Sequence, residues 1–130
     1  MKQLEEIIRQ HLKERNWDTL RPVDIAKSIM IEGAELLELF QWENLSLEEV
    51  KKKKETLEEI KKELADVLMY AIEMSVLLDL DTGKIILDKL AHVQKKYPAE
   101  LMRANTTKEP GTEKAYLEIK KAYRKKRNAS

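Results

Sequence analysis

The 130-residue chain contains no cysteine, which excludes disulfide staples and thiolate metal sites. Three glycines and three prolines are too few to punctuate a succession of strands and hairpins. Charge of one sign is also lacking. The formal net charge is +1, so no global field selects nucleic acid or an anionic membrane as a partner. Long hydrophobic runs are absent. The longest apolar stretch, Val67 to Leu80, is interrupted by Glu73 and Asp79 and is too short to span a bilayer. The opening run, MKQLEEIIRQHLKER, is charged and amphipathic, unlike a secretory leader. These absences lead us to expect a soluble, cytoplasmic protein without a membrane or nucleic-acid partner.

What remains is rich in Leu, Ile, Lys, Glu and Ala, with 38% of residues charged, a mixture that is helical by propensity. Leu4, Ile7, Ile8 and Leu12 have the spacing of one apolar face and predict a helix over about residues 2 to 15. Residues 16 to 21 read as a loop holding Trp17. Pro22 suits the first turn of a second helix, expected to reach about Trp42. Ser46 with Glu49 forms a capping box, S-x-x-E, that opens a third helix expected to continue to about Leu78. The solvated run KKKKETLEEIKKE makes up its first half and can be partly irregular. From Leu64 to Leu78 the pattern is apolar nearly all round, which predicts burial on several sides and hence a subunit interface. Asp79 to Gly83 reads as a turn capped by Asp81 or Thr82. A fourth helix follows over about 84 to 95, ended by Pro98. Ala99 to Ala104 reads as a short helical piece and Asn105 to Thr112 as a loop. The tail from Glu113 is amphipathic and basic. Lys120, Lys121, Arg124, Lys125, Lys126 and Arg127 fit a solvated helix better than a nucleic-acid contact.

Two acidic pairs stand inside apolar helical segments. They are Glu32-x-x-Glu35 in IMIEGAELLELFQW and Glu63-x-x-Asp66 in KKELADVLMYAIEM. Projected at roughly 100° per residue, Glu32 falls in the middle of the apolar face of its helix and Glu35 at the edge of that face. Glu38 falls on the opposite, solvated side. Residues three apart on a helix are neighbours, so two packed helices could gather four carboxylates in a small volume. Their mutual repulsion calls for a cation. With neither histidine (His11 or His92) in the motifs, oxygen-only ligation points to Mg²⁺, with Mn²⁺ as the alternative. Mg²⁺ completes its shell with water and substrate phosphates, so the pattern implies a phosphorylated ligand and hydrolytic attack at phosphorus. Trp17, Trp42 and Tyr70 lie near these motifs in sequence or by helical spacing, and flat rings can stack a nucleobase or simply fill a core. His11 and His92 read as surface residues. Glu73, the one charge in its apolar half-helix, reads either as an interface partner or as a solvent-facing side chain.

The segments WDTLRPVDIAKSIMIEGAELLELFQW, KKELADVLMYAIEMSVLLDLD and KLAHVQKKYPAE, in that order, resemble the MazG-like nucleotide pyrophosphohydrolases, within the all-α NTP pyrophosphatase superfamily and nearest its dCTP pyrophosphatase-like branch. The resemblance covers about residues 10 to 105. It implies an all-α, four-helix-bundle-like MazG fold with an additional C-terminal helix, assembled as an obligate dimer or dimer of dimers. A pyrophosphohydrolase domain would span 1–105, with a loop and basic helix or tail over 106–130. It implies Mg²⁺-dependent conversion of (deoxy)nucleoside triphosphates to monophosphate and pyrophosphate, in nucleotide-pool cleaning. By the same resemblance Glu32, Glu35, Glu63 and Asp66 hold metal; one of the four, for which we take Glu35, is expected to orient the attacking water. Trp17, Trp42 and Tyr70 stack the base, while Lys89 and Tyr97 hold phosphate or sugar.

Val93 stands where the family commonly has Asn, and Ala91 where an acid is frequent. The loop after Trp17 has Leu20-Arg21-Pro22 and lacks the histidine of dCTP-preferring relatives. These departures bear on sugar contact and base preference and leave the acidic set intact. They also keep open a second reading, a non-catalytic nucleotide-binding or regulatory protein on the same fold, and a third, a purely structural bundle.

Overall fold

Ile8 and Leu12, one helical turn apart, share the buried face of α1 (Lys2–Glu14). The computed structural model describes residues 1–104 and 114–129. Among them the structure is entirely helical, continuing with α2 (Pro22–Glu38), α3 (Leu47–Lys52), α4 (Lys54–Leu77), α5 (Thr82–Lys96), α6 (Ala99–Ala104) and α7 (Lys114–Ala129). No described helix is long and apolar enough to cross a membrane. The chain divides into two compact units, Met1–Gly83 and Lys84–Ser130. The expected boundary at 105/106 and the expected loop over 105–112 lie at or within 105–113, outside the described residues.

In the first unit α4 packs chiefly on α2 and secondarily on α1. Ile8 and Leu12 of α1 meet Ile72 and Val76 of α4, with Leu77 against them, and α2 buries Ile25. The opening Pro22 occupies the first turn of α2, where its missing N–H leaves no intrahelical bond unmade. That helix ends at Glu38, short of the expected Trp42. Leu39, Phe40 and Gln41 bond back three residues instead of four, tightening its last turn. The capping box forms as expected: Glu49 N–H donates to Ser46 Oγ at 3.2 Å, and Ser46 N–H donates to Glu49 Oε2 at 2.7 Å. The single helix expected beyond it is two. Lys53 leaves helical geometry at φ −90° and ψ 90°, separating α3 from α4.

Two left-handed residues close helices in the same way. After α1, Asn16 has φ 56°, its N–H donates to the carbonyl of Lys13 and Trp17 N–H donates to that of Leu12 at 2.9 Å. After α4, Asp79 has φ 54°, its N–H donates to the carbonyl of Val76 and Leu80 N–H donates to that of Ser75. Both are Schellman closures at residues whose short polar side chains tolerate positive φ. The first fixes where Trp17 leaves the helix. The second turns the chain toward Thr82, whose N–H donates to buried Glu5 Oε1 at 2.7 Å. A carboxylate from α1 therefore satisfies an orphan N–H at the start of α5. The Thr82 hydroxyl and N–H hold Glu5 below its ordinary range.

The expectation that Leu64 to Leu78 is buried on several sides is not met within one chain. Leu64, Leu68, Met69 and Leu78 of this segment are exposed, as are Met30, Ile31 and Leu37 of α2, of which Met30 is 73% exposed and Leu37 70%.

In the second unit Tyr97 stacks on Tyr116 at 5.0 Å between ring centroids. Lys96 Nζ lies 4.3 Å from the centre of the Tyr123 ring, whose edge also meets His92. The basic residues of α7 from Lys121 to Arg127 are exposed, as expected of a solvated face.

Candidate functional site

Because α2 and α4 pack together, their two acidic pairs face one another. Glu32, Glu63 and Asp66 each offer one carboxylate oxygen, and these oxygens lie within 4.8 Å of one another. All three residues are half-buried. Glu35, one turn from Glu32, is more exposed and is not among these three. It still belongs to the cluster electrically. The Glu35 carboxyl within hydrogen-bond reach is the first cause raising the pKa of Glu32, followed by burial and by the charges of Glu35, Asp66 and Glu63. Glu63 is raised by burial first, then by Glu35 and Asp66. Glu38, expected on the solvated side, is exposed, yet its charge also reaches Glu63.

One atom tests whether these residues suit a metal. Glu63 Oε2 is buried and has no hydrogen-bond partner. An unpartnered acceptor out of water carries a desolvation cost, and a further carboxylate nearby cannot relieve it. Among the described residues no Lys or Arg makes an ion pair with Glu32, Glu35, Glu63 or Asp66. Converging oxygens, no nitrogen or sulfur donor and an orphaned acceptor together fit a hard divalent cation.

A cavity of about 290 Å³ opens one turn along the same two helices. Tyr70 on its wall follows Asp66 by four residues, and Ser28 precedes Glu32 by four. Trp17 enters from the loop after α1, held edge-on by His11 with ring centroids 5.9 Å apart. The structure thus brings Trp17 and Tyr70 into one pocket beside the acids. Trp42 does not line this cavity. It lies in the segment between α2 and α3 and is 87% exposed. Lys89 and Tyr97 share a separate basic cavity of about 300 Å³ in the second unit, with Lys96, Lys120 and Arg124.

Three pocket residues escaped the sequence reading. His11, expected at the surface, is half-buried against Trp17. Asp24 lines the cavity. Glu73 is neither solvent-facing nor at a surface. It is 5% exposed and lines the same cavity, and burial raises its pKa, with His11 opposing the shift. The available signal was its spacing, since Glu73 follows Tyr70 by three residues and so shares its helix face.

An all-helical protein whose two packed helices gather carboxylates beside an aromatic-walled pocket is the class that fold and site define. The chain matches the MazG-like family over residues 27–118, and it belongs to that family. A pyrophosphatase from Archaeoglobus fulgidus, known from a crystal structure at 1.80 Å, is 35% identical to it and superposes with a TM-score of 0.64, over 75% of this chain and 92% of the other. Among curated proteins none matches. The family match takes in all four acids, Trp42, Tyr70, Lys89 and Tyr97, whereas His11, Trp17 and Asp24 precede it.

Proposed function

We propose that this protein is a divalent-cation-dependent pyrophosphohydrolase that converts (deoxy)nucleoside triphosphates to monophosphates and pyrophosphate. The observation that carries the reading is the convergence of Glu32, Glu63 and Asp66 around the unpartnered Glu63 oxygen. Family membership and the pyrophosphatase neighbour support hydrolysis of a pyrophosphate bond.

Glu32, Glu35, Glu63 and Asp66 would hold the cation, Mg²⁺ in the first instance and Mn²⁺ as the alternative. Once bound, such an ion neutralises phosphate charge and makes a water more acidic. Glu35 is the most accessible of the four. It is suited to orient the attacking water and accept its proton as oxygen attacks phosphorus and the bond between the α and β phosphates breaks. Trp17 and Tyr70 hold the base in the cavity one turn away. Lys89 and Tyr97 are assigned to phosphate or sugar, and Trp42 to the base. Removal of surplus or non-standard nucleotides from the cytoplasmic pool is the role this chemistry serves.

Incubation with a panel of deoxynucleoside triphosphates and Mg²⁺ should release monophosphate and pyrophosphate in equal amounts. Free phosphate as the only product would overturn the cleavage site. Tight binding without turnover in Mg²⁺ or Mn²⁺ would replace the enzyme by a nucleotide-binding protein.

Exposed Met30 and Leu37, seven residues apart on α2, and exposed Leu64 and Leu68, four apart on α4, set apolar rows on two helices. We assign this surface to a second copy of the chain, in a homodimer or homotetramer. Light scattering should give at least twice the 15.3 kDa chain mass, and a monomer at micromolar concentration would reject the assignment.

A further inference from the structure

We propose that Glu73 is a specificity-determining residue that accepts a hydrogen bond from the exocyclic amino group of the bound nucleobase, favouring cytosine or adenine over their keto counterparts. The proposal rests on the reading of the aromatic cavity as the base pocket.

The cavity has apolar walls in Trp17, Leu20, Met69 and Tyr70. Its polar side chains differ in how far they are already engaged. Ser28 Oγ donates to the backbone carbonyl of Asp24 at 3.1 Å. Asp24 is more than half exposed and faces Lys27 at 3.9 Å. His11 packs its ring against Trp17. Glu73 alone is more than nine-tenths buried; its charge is felt by His11, and among the described residues it accepts no hydrogen bond.

A carboxyl set in an apolar-walled cavity without a hydrogen-bond donor is costly, and a ligand that supplies one offsets that cost. In either protonation state the carboxyl keeps an acceptor oxygen for an N–H. Cytosine N4 and adenine N6 present such donors, and carboxylates are matched to cytosine N4 in nucleic-acid recognition. Uracil, thymine and guanine place a carbonyl oxygen at the corresponding position. That oxygen repels an ionised carboxylate and can be met only by the protonated acid. Stacking on Trp17 and Tyr70 tolerates every base, so discrimination falls to the edge contact.

The test compares dCMP with dUMP, which differ by amino against keto, binding without any divalent cation and measured by calorimetry. Mildly alkaline buffer increases ionisation of Glu73, with His11, Asp24 and Tyr70 the other titratable groups lining the cavity. Wild type should favour dCMP by about tenfold or more, the scale of one hydrogen bond to a charged group. Glu73→Leu should lose affinity for dCMP and leave dUMP nearly unchanged. Glu73→Gln, whose amide can turn either face to the base, should keep dCMP binding and gain dUMP binding, which removes the preference. A dCMP to dUMP ratio equal in wild type and both variants overturns the proposal, even if triphosphates are hydrolysed. The predicted ratios in a protein that cleaves no triphosphate sustain it while removing the enzymatic reading. Glu73→Gln preserves size and polarity, so its result holds whatever the stability of the leucine variant.

Discussion

Replacing Glu63 by glutamine is expected to lower kcat/KM for triphosphate hydrolysis by about a hundredfold or more, since losses of this order follow even from changes beside a metal's direct ligands. The same substitution should raise the melting temperature of the metal-free protein. Both effects have one cause. Glu63 is half-buried beside Glu35 and Asp66, and its buried Oε2 has no partner. Without a cation its charge opposes folding, so an amide of the same shape stabilises. With a cation that charge is the ligand, so the amide disables the site. The pH dependence follows from the raised pKa. The folded protein keeps the Glu63 proton at pH values where the unfolded chain has released it. Through the interval that begins at the ordinary glutamate value and extends upward, the folded state binds more protons, and stability falls as pH rises. Glu32 and Glu73 shift in the same direction and add to the slope. Melting curves of the metal-free protein should therefore move to lower temperature as pH rises from the ordinary glutamate value toward neutral, while Glu5, whose pKa is lowered, acts in the opposite sense below that value. Glu63→Gln should flatten this trend in part, and Mg²⁺ should raise the melting temperature of wild type much more than that of the variant. A glutamine variant that melts lower than wild type in chelator and still hydrolyses triphosphate would remove the metal centre from the reading.

The acidic pairs were legible because helical periodicity and apolar context are local properties of the sequence. Glu32 sits between Ile29 and Leu36 on one face, and only a site or a partner makes sense of a charge there. The capping box at Ser46 was legible for the same reason. The break at Lys53 was legible only as irregularity somewhere in KKKKETLEEIKKE, because lysines lie on both sides of it and their propensity is uniform. Neither left-handed closure was read, since Asn16 and Asp79 are ordinary loop residues until the chain has somewhere to turn. Glu73 shows the limit most directly. Its burial depends on α1 and the Trp17 loop closing over α4, a tertiary event that its spacing from Tyr70 permits but does not decide. Trp42 shows the converse. Its proximity to the motif is plain in the sequence, but the early end of α2 at Glu38, which sets the ring in the exposed segment that follows, is not.

Leu12→Ala is expected to cost about 3 kcal/mol, within the range of roughly 2.7–5 kcal/mol found for leucine truncation in packed cores. Against a total folding stability of about 5–15 kcal/mol that is a large fraction. Leu12 is 1% exposed and contacts a small cluster, Ile8, Ile72 and Val76, so few neighbours can move in to fill the space. The position also couples core to site. The Leu12 carbonyl accepts from Trp17 N–H at 2.9 Å and from Arg15 N–H at 3.2 Å, the bonds that close α1 and aim Trp17 at the cavity. A helix loosened there should hold the indole less firmly, so KM for nucleotide should rise more than kcat falls, because the carboxylates lie on α2 and α4. Urea unfolding at fixed protein concentration should show a lower midpoint with an unchanged slope. A cost below about 1 kcal/mol would mean that the surroundings collapse onto the alanine, contrary to the close packing that links this leucine to Trp17. The contrast with Glu63 separates the two halves of the design. Removing an apolar side chain from the α1–α4 contact weakens the fold and base binding together, while removing a charge from the α2–α4 contact strengthens the metal-free fold at the expense of the chemistry.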